Sequence, residues 1–290
     1  MGLIGNGNWA EVVSSEINKH SGFYLKAIIT KSVFIPIKNC NELKYTNFEK
    51  IIKQVNFDCL YVAVNPFVNF EIFKVIKKYK IPCVFEKPIF DNIENCNELE
   101  KYLINTNHCL LTNLPNIYSE IFNILNNYIN KNRRQIKKIH FYEGKKGKRN
   151  KNIHPLLDWG VHSLTLIFKL FKNQNVDSVN LKPIKLNINN MIYKIDLNIN
   201  DIKIKILSGN GFKNKIRKLI IFLDNGEIYK FDFSIHKIFQ NNSLIFTSKK
   251  TPISKLLDSL QKNLNYGHDS NDLENILVSL KAIKIFCKSL

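Results

Sequence analysis

Two alternating periodicities in the first 115 residues constrain the fold of this 290-residue chain more than any other feature. Short apolar runs predict strands at 2–4, 24–30, 59–64, 82–85 and 108–112. Apolar residues at helical spacing predict intervening helices at 8–19, 47–55, 66–79 and 93–105. Strands that alternate with helices form βαβ units, and their right-handed crossovers produce a parallel sheet with helices on both faces.

The pattern changes after residue 115, where apolar and polar residues begin to alternate. The predicted strands here are 136–143, 189–197, 201–207, 217–223 and 227–233. Asp224-Asn225-Gly226 lies between the last two and is a strong hairpin signal. Predicted helices lie at 116–130, 153–171, 252–264 and 270–287. We therefore predict an α/β protein of two domains. Residues 1–115 form the parallel sheet, and 116–290 form a smaller α+β domain with an open, mostly antiparallel sheet.

A glycine-rich turn follows the first predicted strand and opens the first predicted helix. The residues Gly5-Asn6-Gly7-Asn8-Trp9-Ala10 have the pattern G-x-G-x-x-A. The first glycine permits a tight turn, the second lets the backbone approach a pyrophosphate, and a small third residue lets helix and strand pack closely. The helix N-terminus directs N–H groups at the phosphates. We therefore expect a Rossmann domain that binds NAD or NADP, with Gly5, Gly7, Asn8 and Trp9 at the cofactor.

The end of the second predicted strand bears on the choice of dinucleotide. Enzymes that use NAD usually carry an acid here, which accepts the ribose 2′-hydroxyl. This chain has Thr30-Lys31-Ser32 instead, and a lysine beside hydroxyls suits a 2′-phosphate. We therefore expect Thr30 and Lys31 to contact the cofactor and NADP to be favoured over NAD. The alternative is a surface lysine, with the ribose held by backbone groups.

Glu86-Lys87-Pro88 stands at the end of the fourth predicted strand. The carboxyl ends of parallel strands line the crevice in which a nucleotide lies, so Glu86 and Lys87 are expected beside the cofactor. Pro88 fixes the local backbone, so the lysine is held at a turn. A lysine in that place can donate or accept a proton.

Asp158 and His162 lie four residues apart in a predicted helix, so they share one helix face. The carboxylate can orient the imidazole or bind a substrate, and histidine is the usual general acid or base near neutral pH. A histidine on a helix is more often structural, but the lysine and the glycine-rich turn favour a catalytic pair.

These three motifs, in this order and at these distances, resemble the glucose–fructose oxidoreductase / inositol dehydrogenase / MocA (Gfo/Idh/MocA) family over nearly the whole chain. The resemblance implies hydride transfer between a nicotinamide cofactor and a secondary alcohol or ketone, commonly on a sugar or cyclitol. It implies that Lys87 is the catalytic lysine, His162 the acid or base and Asp158 its partner. It also implies that residues 1–115 bind the dinucleotide and that residues 116–290 bind the substrate and mediate oligomerisation. Asn65 and Pro66 correspond to a loop that packs on the nicotinamide half of the cofactor.

The chain also departs from the family pattern. Many members carry an acid one or three residues after the histidine, where this chain has Ser163 and Thr165. In the family, the basic loop at 143–151 lies at the substrate mouth. Lys145, Lys148 and His154 are therefore candidate substrate contacts, and the loop favours an anionic substrate such as a nucleotide sugar or sugar acid. A solvated charged loop is the alternative.

The net charge of +19 is a first indication of a nucleic-acid partner. Its composition weakens that indication, because 39 of the 43 cations are lysine and only 4 are arginine, while the chain has 40 Asn and 4 Ala. Such a bias is typical of an AT-rich genome, and specific readers of phosphate usually rely on arginine. We therefore expect a small-molecule substrate, no nucleic acid, and a homodimer or homotetramer.

The six cysteines have no zinc-ligand spacing, and no apolar run approaches the roughly 20 residues of a membrane span. We therefore expect a cytoplasmic protein without metal or membrane partner. Two alternatives to an enzyme remain open from the sequence. One is a sensor that binds the dinucleotide as a signal, and the other is a nucleic-acid binder driven by the positive charge.

Overall fold

A computed structural model describes residues 1–30, 42–44, 48–146, 153–172, 174, 176, 179–187, 190–267 and 269–290. The described chain divides into two compact units. The first consists of Met1–Asn113 and Ile253–Leu280, and the second of Leu114–Pro252 and Lys281–Leu290. The sequence pattern predicts 253–280 as part of the second domain, whereas the structure includes this segment in the first unit. Which unit binds the substrate stays a prediction.

The first unit contains a six-stranded parallel sheet with strand order β3-β2-β1-β4-β5-β6, the Rossmann order. Its strands are β1 Gly2–Ile4, β2 Ala27–Thr30, β3 Glu42–Lys44, β4 Leu60–Val62, β5 Cys83–Phe85 and β6 Leu110–Thr112. Its first four helices are α1 Asn8–Lys19, α2 Phe48–Gln54, α3 Pro66–Tyr79 and α4 Ile93–Ile104. The parallel sheet predicted for the N-terminal part is thereby confirmed.

The strands of this sheet are apolar on both faces because helices cover both faces. Every residue of β1, β2, β4, β5 and β6 is buried. Aromatic rings pack beside the sheet, where Phe73 of α3 makes edge-on contacts with Phe90 and with Tyr102 of α4. This core holds the carboxyl ends of the strands in register, and the glycine-rich turn begins at those ends.

The second unit contains an eight-stranded sheet with strand order β14-β13-β12-β11-β7-β10-β9-β8. Its strands are β7 Ile136–Lys146, β8 Val179–Asn187, β9 Asn190–Ile199, β10 Ile202–Gly209, β11 Gly211–Leu223, β12 Ile228–Asp232, β13 Lys237–Gln240 and β14 Ser243–Thr247. The pair β7–β10 is parallel and every other pair is antiparallel. The mostly antiparallel sheet predicted for this part is confirmed.

One face of the second sheet is covered and the other is more open. This unit includes α5 Glu120–Asn132 and α6 Val161–Leu170, and all ten residues of α6 are buried. Along β7 the covered face carries Ile139, Phe141 and Glu143, while Lys138 and His140 point to the open face. An acidic side chain on the apolar face requires a partner.

Two helices end the chain, α7 Pro252–Tyr266 and α8 Ser270–Ser289. The segment of these helices that belongs to the first unit contacts the end of α1. His20 Nε2 lies 3.1 Å from Asp258 Oδ1, and the backbone N–H of Gly22 donates to His20 Nδ1. Within the described residues, no helix is both long and apolar enough to cross a membrane.

Candidate active site

The carboxyl ends of four parallel strands are aligned along one edge of the first sheet. Ile4 of β1 pairs with Val62 of β4, Val62 with Phe85 of β5, and Phe85 with Thr112 of β6. The strand order changes direction between β1 and β4, and α/β sheets bind their ligands outside the strand ends at such a point. The residues that follow these four strands therefore form the candidate cofactor site.

The two glycines of the turn after β1 meet different requirements. Gly5 has φ +109°, and a Cβ there would lie 2.4 Å from the carbonyl oxygen of Ala63, so the fold itself requires glycine. Gly7 has φ −78°, and a Cβ there would meet no atom within 4 Å. The fold imposes no glycine at position 7, whereas a pyrophosphate that approaches the backbone does.

The first turn of α1 is suited to hold phosphate oxygens. Gly7 is its N-cap residue, and no side chain caps the first N–H groups of the helix. Asn8 and Trp9 are exposed, while Ala10 is fully buried against the sheet as the small third residue of the motif. The residues present therefore fit a dinucleotide, because a phosphate group satisfies free N–H donors at a helix N-terminus.

Glu86, directly after β5, joins three neighbouring segments through one carboxylate oxygen. Its Oε1 accepts hydrogen bonds from Trp9 Nε1 in the glycine-rich turn, from the Tyr61 hydroxyl on β4 and from Asn113 Nδ2 after β6. We call these four residues the Glu86 cluster. It ties the first turn of α1 to the residue that precedes Lys87, and so fixes the spacing between the turn and the lysine.

Burial shifts two pKa values in the Glu86 cluster. Desolvation raises the pKa of the Glu86 carboxyl above 4.5, and the three hydrogen bonds and the Lys87 charge offset part of this rise. Desolvation also raises the pKa of the Tyr61 phenol, with the charge of Glu86 as the next cause. Tyr61 therefore stays a hydrogen-bond donor to Glu86 throughout the physiological pH range.

The remaining residues predicted for the cofactor site lie at or near the same edge. Lys87 follows Glu86, and its peptide bond to Pro88 is cis. Asn65 caps α3 through its side-chain oxygen, which accepts from the N–H of Phe67, and Pro66 is the first helical residue. Thr30 ends β2 and is buried. The prediction for Lys31 lies outside the described residues, and the cofactor role of each of these residues stays a prediction.

In the second unit, the predicted helix over 153–171 is interrupted at its start. A π-helical turn spans Leu156–Gly160, and the regular helix α6 begins at Val161. Asp158 lies in the π turn and is half-buried, whereas His162 lies in the first turn of α6 with 2% of its surface exposed. Single π-helical turns of this kind are frequent at functional sites. The pairing of Asp158 with His162 stays a prediction.

His162 contacts the guanidinium of Arg217, a residue that no sequence motif predicts at the site. Nη2 of Arg217 lies 3.3 Å from His162 Nε2. Nε of the same guanidinium lies 2.7 Å from Oε1 of the fully buried Glu143, which is the cross-strand partner of Arg217 in the β7–β11 pair. Asn116 Nδ2 donates to the other carboxylate oxygen at 3.0 Å. Arg217 and Asn116 are thus partners of the acid on the apolar sheet face.

The predicted substrate contacts have separate environments. Lys145 is exposed, and its Nζ lies 6.0 Å from the centre of the Trp159 ring, which Arg217 also contacts at 5.6 Å. His154 accepts from the N–H of Leu156 and contacts the Tyr193 hydroxyl at 3.0 Å. Lys148 lies outside the described residues. In the described part of the chain, no group of three or more His, Cys, Asp and Glu side chains is arranged to hold a metal.

Comparison with known proteins agrees with the geometry of the first unit. Residues 1–114 match the model of the GFO_IDH_MocA family, described as an oxidoreductase family with an NAD-binding Rossmann fold. These residues belong to the Gfo/Idh/MocA family. The match covers the glycine-rich turn, Lys87 and the whole Glu86 cluster. The match supports the prediction of an NAD(P)-dependent oxidoreductase. No curated protein has significant sequence similarity to the chain.

Solved structures share the fold of the complete chain at low identity. Myo-inositol 2-dehydrogenase from Lactobacillus plantarum has a TM-score of 0.78 and 14% identity, covering 99% of this chain and 95% of that one. Aldose-aldose oxidoreductase from Caulobacter crescentus has the same score and identity, covering 99% and 97%. UDP-N-acetylglucosamine 3-dehydrogenase from Acidithiobacillus ferrooxidans has a TM-score of 0.74 and 12% identity, covering 99% and 97%. At these identities the likeness concerns the fold.

Sequence reasoning missed several members of these sites. Each of the missed residues contacts a partner that is far away in sequence. They are Tyr61 and Asn113 in the first unit, and Asn116, Glu143 and Arg217 in the second. One signal was present for Arg217, because it is one of only four arginines in a chain with 39 lysines. An arginine in such a background points to a position that needs a planar guanidinium.

Proposed function

We propose that the chain is a dehydrogenase or reductase that acts on a secondary alcohol or ketone of a sugar-like substrate. The fold over the complete chain is shared with enzymes whose names refer to inositol, an aldose and a UDP-amino sugar. The Glu86 cluster carries the proposal, since it fixes Lys87 relative to the turn that fits a dinucleotide. A dinucleotide sensor needs no lysine held in that way.

The proposal assigns proton transfer to named residues. When bound, the nicotinamide ring supplies the hydride chemistry of the reaction. Lys87 or His162 moves the proton of the substrate hydroxyl, and Asp158 orients the substrate or the imidazole. Gly5, Gly7, Asn8, Trp9, Asn65 and Glu86 contact the dinucleotide in this proposal.

The proposal also extends to an anionic substrate and to a preferred cofactor. Lys145 is an exposed cation beside Trp159, and the sequence adds Lys148 and His154 on the same stretch. Cations in such a place attract a carboxylate or phosphate, so a sugar acid or nucleotide sugar is the proposed class. Lys31 follows β2 and favours NADP through a 2′-phosphate contact.

Replacement of Lys87 tests the catalytic assignment. The full chain is titrated with NADPH and NADH by fluorescence, and sugar acids and nucleotide sugars are screened for absorbance change at the nicotinamide band. We expect Lys87→Met to lower turnover by about 10²–10⁴-fold, the usual contribution of a proton-transfer group, while the cofactor Kd changes little. Lys50→Met, at an exposed lysine of α2, is the matched control and should keep full activity.

The outcomes separate the enzyme from a sensor. Turnover in the parent that survives Lys87→Met would remove Lys87 from the reaction. If the parent binds NADPH or NADH tightly but turns over none of the screened sugar acids and nucleotide sugars, the result would favour the sensor.

A further inference from the structure

The guanidinium of Arg217 is held in place by fixed groups on several sides. The ion pair with Glu143 at 2.7 Å engages Nε, and Glu143 has no exposed surface. Asn116 holds the second oxygen of that carboxylate, so the acid cannot rotate freely. The ring of Trp159 lies 5.6 Å from the guanidinium carbon. Only 14% of the Arg217 side chain is exposed, so its orientation toward His162 is set by the packing of β7, β11 and the π turn.

The contact between Arg217 and His162 determines where the imidazole carries its proton. Nη2 of Arg217 and Nε2 of His162 are 3.3 Å apart. A guanidinium has donors alone and stays charged at all physiological pH values, so Nε2 must be the acceptor. An accepting Nε2 has no proton, which leaves a neutral ring with its proton on Nδ1.

The charge of Arg217 also lowers the pKa values of two other groups in the second unit. Burial and then the charge of Arg217 lower the pKa of Lys215, and Arg217 has a larger effect on it than Glu143. Burial, Lys215 and Arg217 lower the pKa of His236, with Asp232 acting in the opposite direction to a smaller extent. The positive field of Arg217 therefore reaches its neighbours although Glu143 is paired with it. A second cation at His162 would be opposed by the same field.

We infer that Arg217 is a positioning residue that holds His162 as a neutral imidazole with the proton on Nδ1 and Nε2 bound to the guanidinium. The sequence motif predicted an acid or base at this position. With its proton on Nδ1, which is buried, the ring is a fixed neutral group beside Arg217 and not an acid or base.

One consequence for the reaction rests on the function proposed above. While Nε2 accepts from Arg217, it has no lone pair left for a substrate hydroxyl proton, and the neutral ring has no imidazolium proton to give. Proton transfer therefore falls to Lys87: in alcohol oxidation the substrate O–H bond breaks and an N–H bond forms on its neutral amine. In carbonyl reduction the lysine ammonium returns that proton to oxygen.

Nitrogen NMR of the histidine rings tests the inference without substrate or cofactor. The full chain is labelled with 15N-histidine, the His162 signals are assigned by their loss in His162→Gln, and ring-nitrogen shifts are recorded at pH 7. We expect a pyridine-type Nε2 and a pyrrole-type Nδ1 for His162. A proton on Nε2, in either the other neutral tautomer or the imidazolium, would overturn the inference.

A double variant shows whether Arg217 is the cause. Arg217→Met alone would leave Glu143 buried and unpaired, so it is combined with Glu143→Gln, which removes both charges at similar volume. We expect the variant to lose the exclusive Nδ1–H signature and to populate the Nε2–H tautomer. Arg134→Met, at an exposed arginine of the same unit, should leave the His162 shifts unchanged. Unchanged His162 shifts in the double variant would refute a positioning role for Arg217.

Turnover measurements distinguish this inference from the proposed function. If the parent is active, the inference requires His162→Gln to lose less turnover than Lys87→Met, and the opposite order would contradict it. If no substrate is found, the proposed function fails while the NMR result on His162 still decides the role of Arg217.

Discussion

At the scale of single residues, the two glycines of the turn after β1 separate a requirement of the fold from a requirement of a ligand. Gly5 combines a positive φ with a backbone oxygen where its Cβ would be, whereas Gly7 has an ordinary backbone and open space. The sequence motif predicted both glycines, but it could not say which one the protein needs in order to fold. The atoms that decide this belong to Ala63 and Val64, directly after β4 and far along the chain.

Alanine at each glycine should therefore give opposite results. Gly5→Ala is expected to destabilise the protein by about 2–4 kcal/mol, because it forces a strained backbone and a backbone clash. Gly7→Ala should change stability by less than about 1 kcal/mol but weaken NAD(P) binding at least about tenfold. Thermal unfolding and fluorescence titration measure the two effects. Equal cofactor affinity of Gly7→Ala and the parent would argue against the assigned phosphate position.

Glu86 gives stability a pH dependence that its amide analogue should lack. Because burial raises its pKa in the folded state, its stabilising effect is fully present below pH 4.5 and is lost as the pH rises through the raised folded value. Glu86→Gln keeps an acceptor for Trp9, Tyr61 and Asn113 but does not ionise. We expect the Tm of Glu86→Gln, relative to that of the parent, to increase from pH 4 upward and then to level off. If the Tm values of the parent and the variant change in parallel between pH 4 and 8, ionisation of Glu86 is not the cause of the pH dependence.

At the level of helices and strands, the local sequence pattern predicts the ends of some helices correctly but does not predict four of the strands. The predicted helices 8–19 and 66–79 coincide with α1 and α3, because each has a regular apolar face and a clear start. The strands β3, β8, β13 and β14 were not predicted. The β3 sequence is Glu-Leu-Lys, β8 contains a proline, and Asn241-Asn242, both at positive φ, separates β13 from β14. Pairing with a neighbouring strand forms these four elements, and pairing is invisible to a local pattern.

The candidate site was predictable to a similar degree. The glycine-rich turn, Lys87 and His162 could be found because each belongs to a short motif. The bonds from Tyr61 and Asn113 to Glu86, and from Glu143 to Arg217, join residues whose closeness depends on strand order. The π turn before α6 could not be inferred either, since its extra residue leaves no periodicity signal in so short a segment.

The N-cap of α4 offers a test at this scale that is remote from the site. Asn92 accepts a hydrogen bond from the N–H of Asn95 at 2.9 Å and closes the first turn of the helix. Asn92→Ala should destabilise the first unit by about 1 kcal/mol, measured by denaturant or thermal unfolding, while Asn92→Asp should retain most of the stability. Equal losses in the two variants would show that the cap oxygen is unimportant.

For the whole molecule, the structure shows where some of the groups behind the net charge of +19 lie. Much of it lies on exposed lysines, whereas the single arginine of the second sheet is paired with the buried Glu143. The open face of that sheet carries Lys138 and His140 beside Phe222. Association of copies into a homodimer or homotetramer stays a prediction, as do the absence of a nucleic-acid partner and the location in the cell.

The folded core should protect its thiols from modification. Cys59 and Cys83 are fully buried in adjacent strand regions of the first unit. Burial raises the pKa of the Cys59 thiol to about 12 and that of Cys83 well above 9.0, so neither forms the reactive thiolate at neutral pH. Alkylation of the native protein at pH 7.5 should leave both unmodified in peptide mass spectra, and unfolding in guanidinium should expose both. Rapid native labelling of Cys83 would show that the sheet opens.

Ile253–Leu280 belongs to the first unit, and this affects when that unit can finish folding during translation. A ribosome makes this segment after all six strands of the parallel sheet and after all eight strands of the other sheet. The contact of Asp258 with His20 therefore cannot form early in translation. Synthesis of the nucleotide-binding unit begins first, but its last segment is made after every strand of the second sheet, so its final packing must wait for that segment.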